Sequence, residues 1–167
     1  MAKQQTVYHA YTTKYEGITQ TLINDVELIS QEKRCAGKAQ WDTGATRTCI
    51  SKDVVKQLDL VPTGMINIST PSGTKVVHVY MIDVLLPNSL LVKNVQACGT
   101  EIGSQGIQVL IGMDIIALGD FAVSNAKNQT VFSFRIPSKE HTDLVKQIRI
   151  ENKIGPKHGQ GKRKKKK

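Results

Sequence analysis

Two short segments of the 167-residue chain carry residues that could do chemistry together. The first is Ala39-Gln40-Trp41-Asp42-Thr43-Gly44-Ala45, where a short strand-forming stretch runs into Asp-Thr-Gly. A carboxylate presented there can take a proton from water or give one to a carbonyl oxygen, although Asp, Thr and Gly also make ordinary turns. The second segment, about seventy positions later, is Val109-Leu110-Ile111-Gly112-Met113-Asp114-Ile115-Ile116. It reads as an apolar triplet, then Gly, any residue, Asp and two more apolar residues. No second Asp-Thr-Gly or Asp-Ser-Gly occurs in the chain. Other reactive side chains form no pattern. Cys35, Cys49 and Cys98 are odd in number and far apart, and His9, His78, His141 and His158 show no HExxH or His-x-His spacing. Neither a zinc site nor a disulfide framework is expected from them, and reduced, mostly buried thiols are.

The two motifs, in this order, resemble those of the retropepsin-like (retroviral-type) aspartic proteases. The run Gly119–Pro137 resembles bacterial and phage-type members more than viral ones, and the resemblance covers roughly residues 15–137. It implies an all-β fold, a closed or partly open β-barrel with one or two short helices, built as a half-site monomer that forms a homodimer. The implied activity is peptide-bond hydrolysis by two carboxylates facing one water, one ionised and one protonated, with no metal and no cofactor. A single Asp-Thr-Gly supplies one carboxylate, so the dyad needs Asp42 from two copies, which a twofold axis provides. By the same resemblance Thr43 bonds its counterpart across the axis, Gly44 lets the backbone turn tightly and Ala45 lines the cleft. Gly112 and Asp114 brace the catalytic loop from behind. Thr70, Pro71, Ser72, Gly73 and Thr74 form the tip of a flap that closes over an extended peptide held by strand addition. Two positions depart from viral members, which carry an acid soon after Asp-Thr-Gly-Ala and an Arg after the second-motif Gly. Here they are Thr46 and Met113, which makes Arg47 the candidate partner for Asp114.

The elements that must position these residues read mostly as strands. Thr6–Thr12 alternates weakly, as an edge strand does. The segment Ile18–Ile29 is broken by Asn24-Asp25, which predicts a tight hairpin turn there. Gln31–Lys38 is polar and reads as loop, with a short strand from Ala39 to Trp41. Ser51–Leu60 predicts a helix, with Ser51 as N-cap, Val54, Val55 and Leu58 on one face, and Pro62 beyond its end. Met65–Thr70 and Lys75–Leu86 predict a hairpin joined by a type I turn over the Pro71-Ser72-Gly73 tip. Strands are expected at Leu90–Ala97, Gln108–Ile111, Phe121–Ser124 and Thr130–Ile136, and a short helix at Thr142–Ile150. The domain reading is an N-terminal strand or arm over 1–14, a protease-like domain over 15–137, a helix over 138–151 and a tail over 152–167.

Composition sets the outer bounds. With 40% apolar and 22% charged residues the chain suits one globular domain, and with 5% aromatics its core must rest on Val, Ile and Leu. No apolar run reaches the roughly 20 residues that span a bilayer. The N-terminus has no apolar signal-like stretch, so a cytoplasmic protein without membrane contact is expected. The net charge is +9, yet eight of the 23 cations follow Glu151 with no acid among them. That leaves 15 cations against 14 acids, a balance of +1, for residues 1–151. The basicity therefore belongs to a tail whose Lys162, Arg163, Lys164, Lys165, Lys166 and Lys167 could hold nucleic acid without sequence preference. The alternative function is accordingly a catalytically silent interaction module of the same fold, binding nucleic acid or a partner through that tail.

Overall fold

The computed structural model describes residues 6–70, 73–102 and 106–154. Among these residues ten strands dominate: β1 His9–Lys14, β2 Ile23–Ser30, β3 Lys33–Trp41, β4 Cys49–Ser51, β5 Gly64–Thr70, β6 Gly73–Leu85, β7 Leu91–Thr100, β8 Val109–Ile111, β9 Asp120–Ser124 and β10 Val131–Ile136. Among the described residues three α-helices accompany them, α1 Lys52–Gln57, α2 Met113–Ile116 and α3 Leu144–Ile154, with a 3-10 turn at Ala126–Asn128. Strands β2, β3, β8, β4, β7 and β6 follow one another across a sheet, and β6 pairs back onto β2. The result is a closed six-stranded barrel, the all-β architecture expected. Strand β5 hangs outside the ring on the first half of β6, and β1, β10 and β9 form a separate antiparallel sheet.

The barrel fills with the aliphatic side chains that the composition requires. Val26, Leu28, Ala39, Ile50, Val54, Ile82, Val84, Ala97, Val109, Ile111 and Ile115 are all buried, and Phe132 and Phe134 of β10 close one side of the core. Trp41 joins the two sheets. Its ring lies 4.7 Å from that of Phe134 and 5.1 Å from that of Phe132, and its indole N–H donates to Asn24 Oδ1 at 3.0 Å.

Several local expectations need correction. There is no turn at Asn24-Asp25. Both residues lie inside β2, where Asn24 shares the inward face with Val26 and Leu28. Its burial is made tolerable by the Trp41 indole and by its own amide donating to Thr13 Oγ1 at 2.7 Å. The hairpin turns instead after Ser30, with Gln31 at φ 55°, and the segment read as loop is the first part of β3. Its polar appearance arises because the inward positions hold Cys35, Gly37 and Ala39, too small to give an apolar alternation. Helix α1 is shorter than expected. Ser51 does cap it, accepting from the Val54 N–H, but Asp59 leaves the helical region at φ 51° before Pro62 is reached. The edge strand expected over Thr6–Thr12 is present as β1, shifted to His9–Lys14, and pairs along all of β10 from His9–Ile136 to Lys14–Val131. Helix α3 runs to Ile154, past the boundary drawn at 151. Pro71, Ser72 and the cationic run from Lys162 to Lys167 lie outside the described residues. No helix among the described residues is long and apolar enough to cross a membrane.

Candidate active site

Two parallel strands bring the motifs together. Strand β8 pairs parallel to β3, with Trp41 opposite Ile111. Both strands therefore end at the same level, and the turn after each, Asp42-Thr43-Gly44 and Gly112-Met113-Asp114, leaves the barrel beside the other. The chain then cross-ties the turns. The Asp42 N–H donates to Ile111 O at 2.9 Å, and the Met113 N–H donates to Ala45 O at 2.8 Å. Within the first turn Gly44 N–H donates to Asp42 Oδ1 at 2.8 Å and Ala45 N–H to Asp42 O at 3.2 Å. The Asp42 carboxylate is thus aimed by its own loop and remains half-buried, whereas Thr43 and Gly44 are exposed and Ala45 is half-buried.

Glycine at 112 is dictated by backbone crowding. A Cβ there would lie 2.5 Å from Arg47 C and 2.9 Å from Thr48 N, both main-chain atoms. At Gly44 a Cβ would stand 3.1 Å from Asp42 Oδ1, so the carboxylate itself occupies the space beside it.

Asp114 is held by a residue that the sequence did not single out. The Thr48 N–H reaches Asp114 Oδ1 at 3.0 Å and Oδ2 at 2.9 Å, and the Thr48 hydroxyl donates to Oδ1 at 2.8 Å. That hydroxyl also accepts from the Gly112 N–H at 3.3 Å, so Thr48 joins both members of the second motif. Arg47 does not pair with Asp114; it is exposed and its guanidinium lies 3.5 Å from Gln96 Oε1. No signal in the sequence marks Thr48, since threonine is an ordinary strand residue.

The β5–β6 hairpin is present, with Thr70 opposite Gly73 and Ser69 opposite Thr74. Gly73 adopts φ 109°, a conformation reserved for glycine. Residues 73–78 pair only with β5, so this half of β6 projects beyond the barrel wall. Three or more His, Cys, Asp or Glu side chains able to hold a metal ion do not gather anywhere among the described residues.

A family model described as "gag-polyprotein putative aspartyl protease" matches residues 29–117, a span that holds both motifs. Among solved structures, a retropepsin-like aspartic protease from Rickettsia conorii is similar at a TM-score of 0.50 and 16% identity, covering 81% of this chain and 98% of that one. That likeness extends the retropepsin-like fold to this chain. The simian foamy virus (mac) protease matches at a TM-score of 0.41 and 23% identity, over 57% of this chain and 89% of its own. The search of curated protein sequences found no match.

Proposed function

Since the chain belongs to the gag-polyprotein aspartyl protease family, we propose that it is an aspartic endopeptidase whose dyad is assembled from the Asp42 of two copies. The observation that carries this reading is the cross-tied pair of turns. Asp42 sits at the open end of the barrel, aimed by Gly44 N–H and fixed to the second motif through Ile111 O. Two such carboxylates about 3 Å apart cannot both ionise cheaply, so they share one proton. The ionised member takes a proton from the attacking water, and the protonated member donates to the carbonyl oxygen of the scissile amide.

In this reading Thr43, exposed at the tip of the turn, ties the two loops across the axis. Gly44 keeps the turn tight, and Ala45 lines the cleft. Gly112 and Asp114 hold the loop from behind through Thr48. Thr70, Pro71, Ser72, Gly73 and Thr74 close over a peptide bound in extended form. The catalytic unit is residues 15–137, completed on its N-terminal side by β1. The test is hydrolysis of a peptide library by the purified protein at mildly acidic pH, with Asp42→Asn as the control. Cleavage by the wild-type protein and none by the variant is the expected result. A chain that dimerises but cleaves nothing would favour the silent interaction module instead.

A further inference from the structure

Strands β4 and β7 run parallel with Cys49 directly opposite Cys98. Opposed residues on neighbouring strands point to the same face of the sheet. The strand spacing of about 4.8 Å falls inside the roughly 4.4–6.8 Å Cα separation that a disulfide spans. Both thiols are free; Cys98 is fully buried and Cys49 is half-exposed. The pair is therefore one reachable sulfur backed by one sheltered sulfur. Cys35 stands apart on β3, its thiol donating to Gln57 Oε1 at 2.8 Å.

We propose that Cys49 and Cys98 are an oxidisable dithiol, closed to an intramolecular disulfide by a low-molecular-weight disulfide such as oxidised glutathione. The thiolate of Cys49 attacks one sulfur of the oxidant, forming a mixed disulfide and releasing one thiolate. The thiolate of Cys98 then attacks Cys49 Sγ and expels the second. Two thiol protons leave, the two protein sulfurs are oxidised, and the oxidant is reduced to two thiols.

Access assigns the first attack to Cys49, the half-exposed thiol, although Cys98 is the more acidic of the two. The Cys49 thiol donates to Arg47 O at 3.6 Å; the neighbouring Cys49 draws Cys98 below the ordinary thiol range, against its burial, while Cys98 and burial together raise Cys49. The first proton to leave the pair therefore comes from Cys98, more readily than from an isolated buried thiol. The Thr100 hydroxyl is buried without a partner at ordinary hydrogen-bond distance, and it stands near enough to Cys49 to favour a thiolate there. Cys98 N–H donates to Thr48 O at 2.9 Å, so the crosslink would form directly behind the residue that holds Asp114.

The experiment uses the full chain, treated with oxidised glutathione at about pH 8, near the ordinary thiol pKa. Thiols counted in denaturant, after the oxidant is removed, should fall from three groups to one. Digestion without reduction should give one peptide pair joined through Cys49 and Cys98, released by dithiothreitol. Cys35→Ser should leave the crosslink intact. Cys98→Ser should strand a glutathione on Cys49, because nothing remains to displace it. Circular dichroism of each sample confirms that a folded protein was oxidised. A stable glutathione on Cys49 of the wild type with Cys98 still free would overturn the proposal. So would a crosslink that involves Cys35, or three thiols that survive the treatment. None of these readouts depends on peptide cleavage, so the proposal and the proposed function fail separately.

Discussion

Thr48 is completely buried, and its hydroxyl is engaged on both sides, donating to Asp114 Oδ1 and accepting from Gly112 N–H. Thr48→Val keeps the shape but leaves a buried amide without a partner and strips one donor from a carboxylate, at a cost of about 1–3 kcal/mol. The urea midpoint should fall accordingly, and Thr48→Ser should restore most of it. An unchanged midpoint in Thr48→Val would mean that the network carries no stability. Gly112→Ala meets main-chain atoms at 2.5 Å, which no rotamer change relieves, so a loss of about 1–3 kcal/mol is expected there also. Asp42→Asn differs in kind. The Asn carbonyl can still accept from Gly44 N–H, as Oδ1 does at 2.8 Å, so the fold should hold while the proposed base is lost. Thermal unfolding within a degree or two of wild type, combined with no detectable turnover, is the expected pair of results. At this scale the sequence was informative where chemistry restricts residue type, as at Asp42 and Gly112. It was silent where a common residue is recruited by its surroundings, as Thr48 is.

Strands and helices show why local sequence patterns succeed in one place and fail in another. The β5–β6 hairpin and the capped start of α1 were legible because turn and cap residues act over a few positions. Strand β2 was not, because Asn-Asp is a turn signal until a distant indole and a threonine hydroxyl satisfy Asn24 inside the core. Strand β4 is three residues long and is held by partners at 98–100 and 109–110, so nothing local announces it. The sheet of β1, β10 and β9 carries a pH-dependent tie of its own. Asp120 is held down to about 2, first by the Ser138 hydroxyl, then by the Lys139 amide and the Arg135 guanidinium. A depressed carboxylate contributes stability above its unfolded pKa of about 4, and loses that contribution as pH falls through the folded value. Stability should therefore decline from about pH 4 toward about pH 2, and Asp120→Asn should flatten that part of the curve. Identical acid limbs for the two proteins, measured by thermal unfolding across this range, would rule the tie out.

The barrel as a whole closes on itself with a single Asp-Thr-Gly turn at its open end. If the proposed chemistry holds, one chain is half a machine, and its activity must report assembly. Specific activity should fall on dilution once the dimer dissociates, and sedimentation on the same samples should show the weight-average mass falling with it. Thr43→Ala should shift both curves to higher concentration together, since a cross-axis hydrogen bond is worth on the order of 1 kcal/mol and is made twice by symmetry. Mixing gives the sharper test. Equal amounts of wild-type and Asp42→Asn chains, allowed to exchange, should place only about a quarter of the dimers in the fully wild-type form by random pairing under a twofold arrangement. Activity should then be about a quarter of that of an all-wild-type sample at the same total concentration, rather than the half expected of independent chains. A value near one half, or activity that stays proportional to concentration where only monomer sediments, would place the second carboxylate within the same chain. Asp114 is the carboxylate nearest in topology, but it is already engaged by the Thr48 amide and hydroxyl. It would have to leave that network to act, so Asp114→Asn separates the cases: it should weaken the fold without abolishing turnover if the dyad spans two copies, and abolish turnover if it does not.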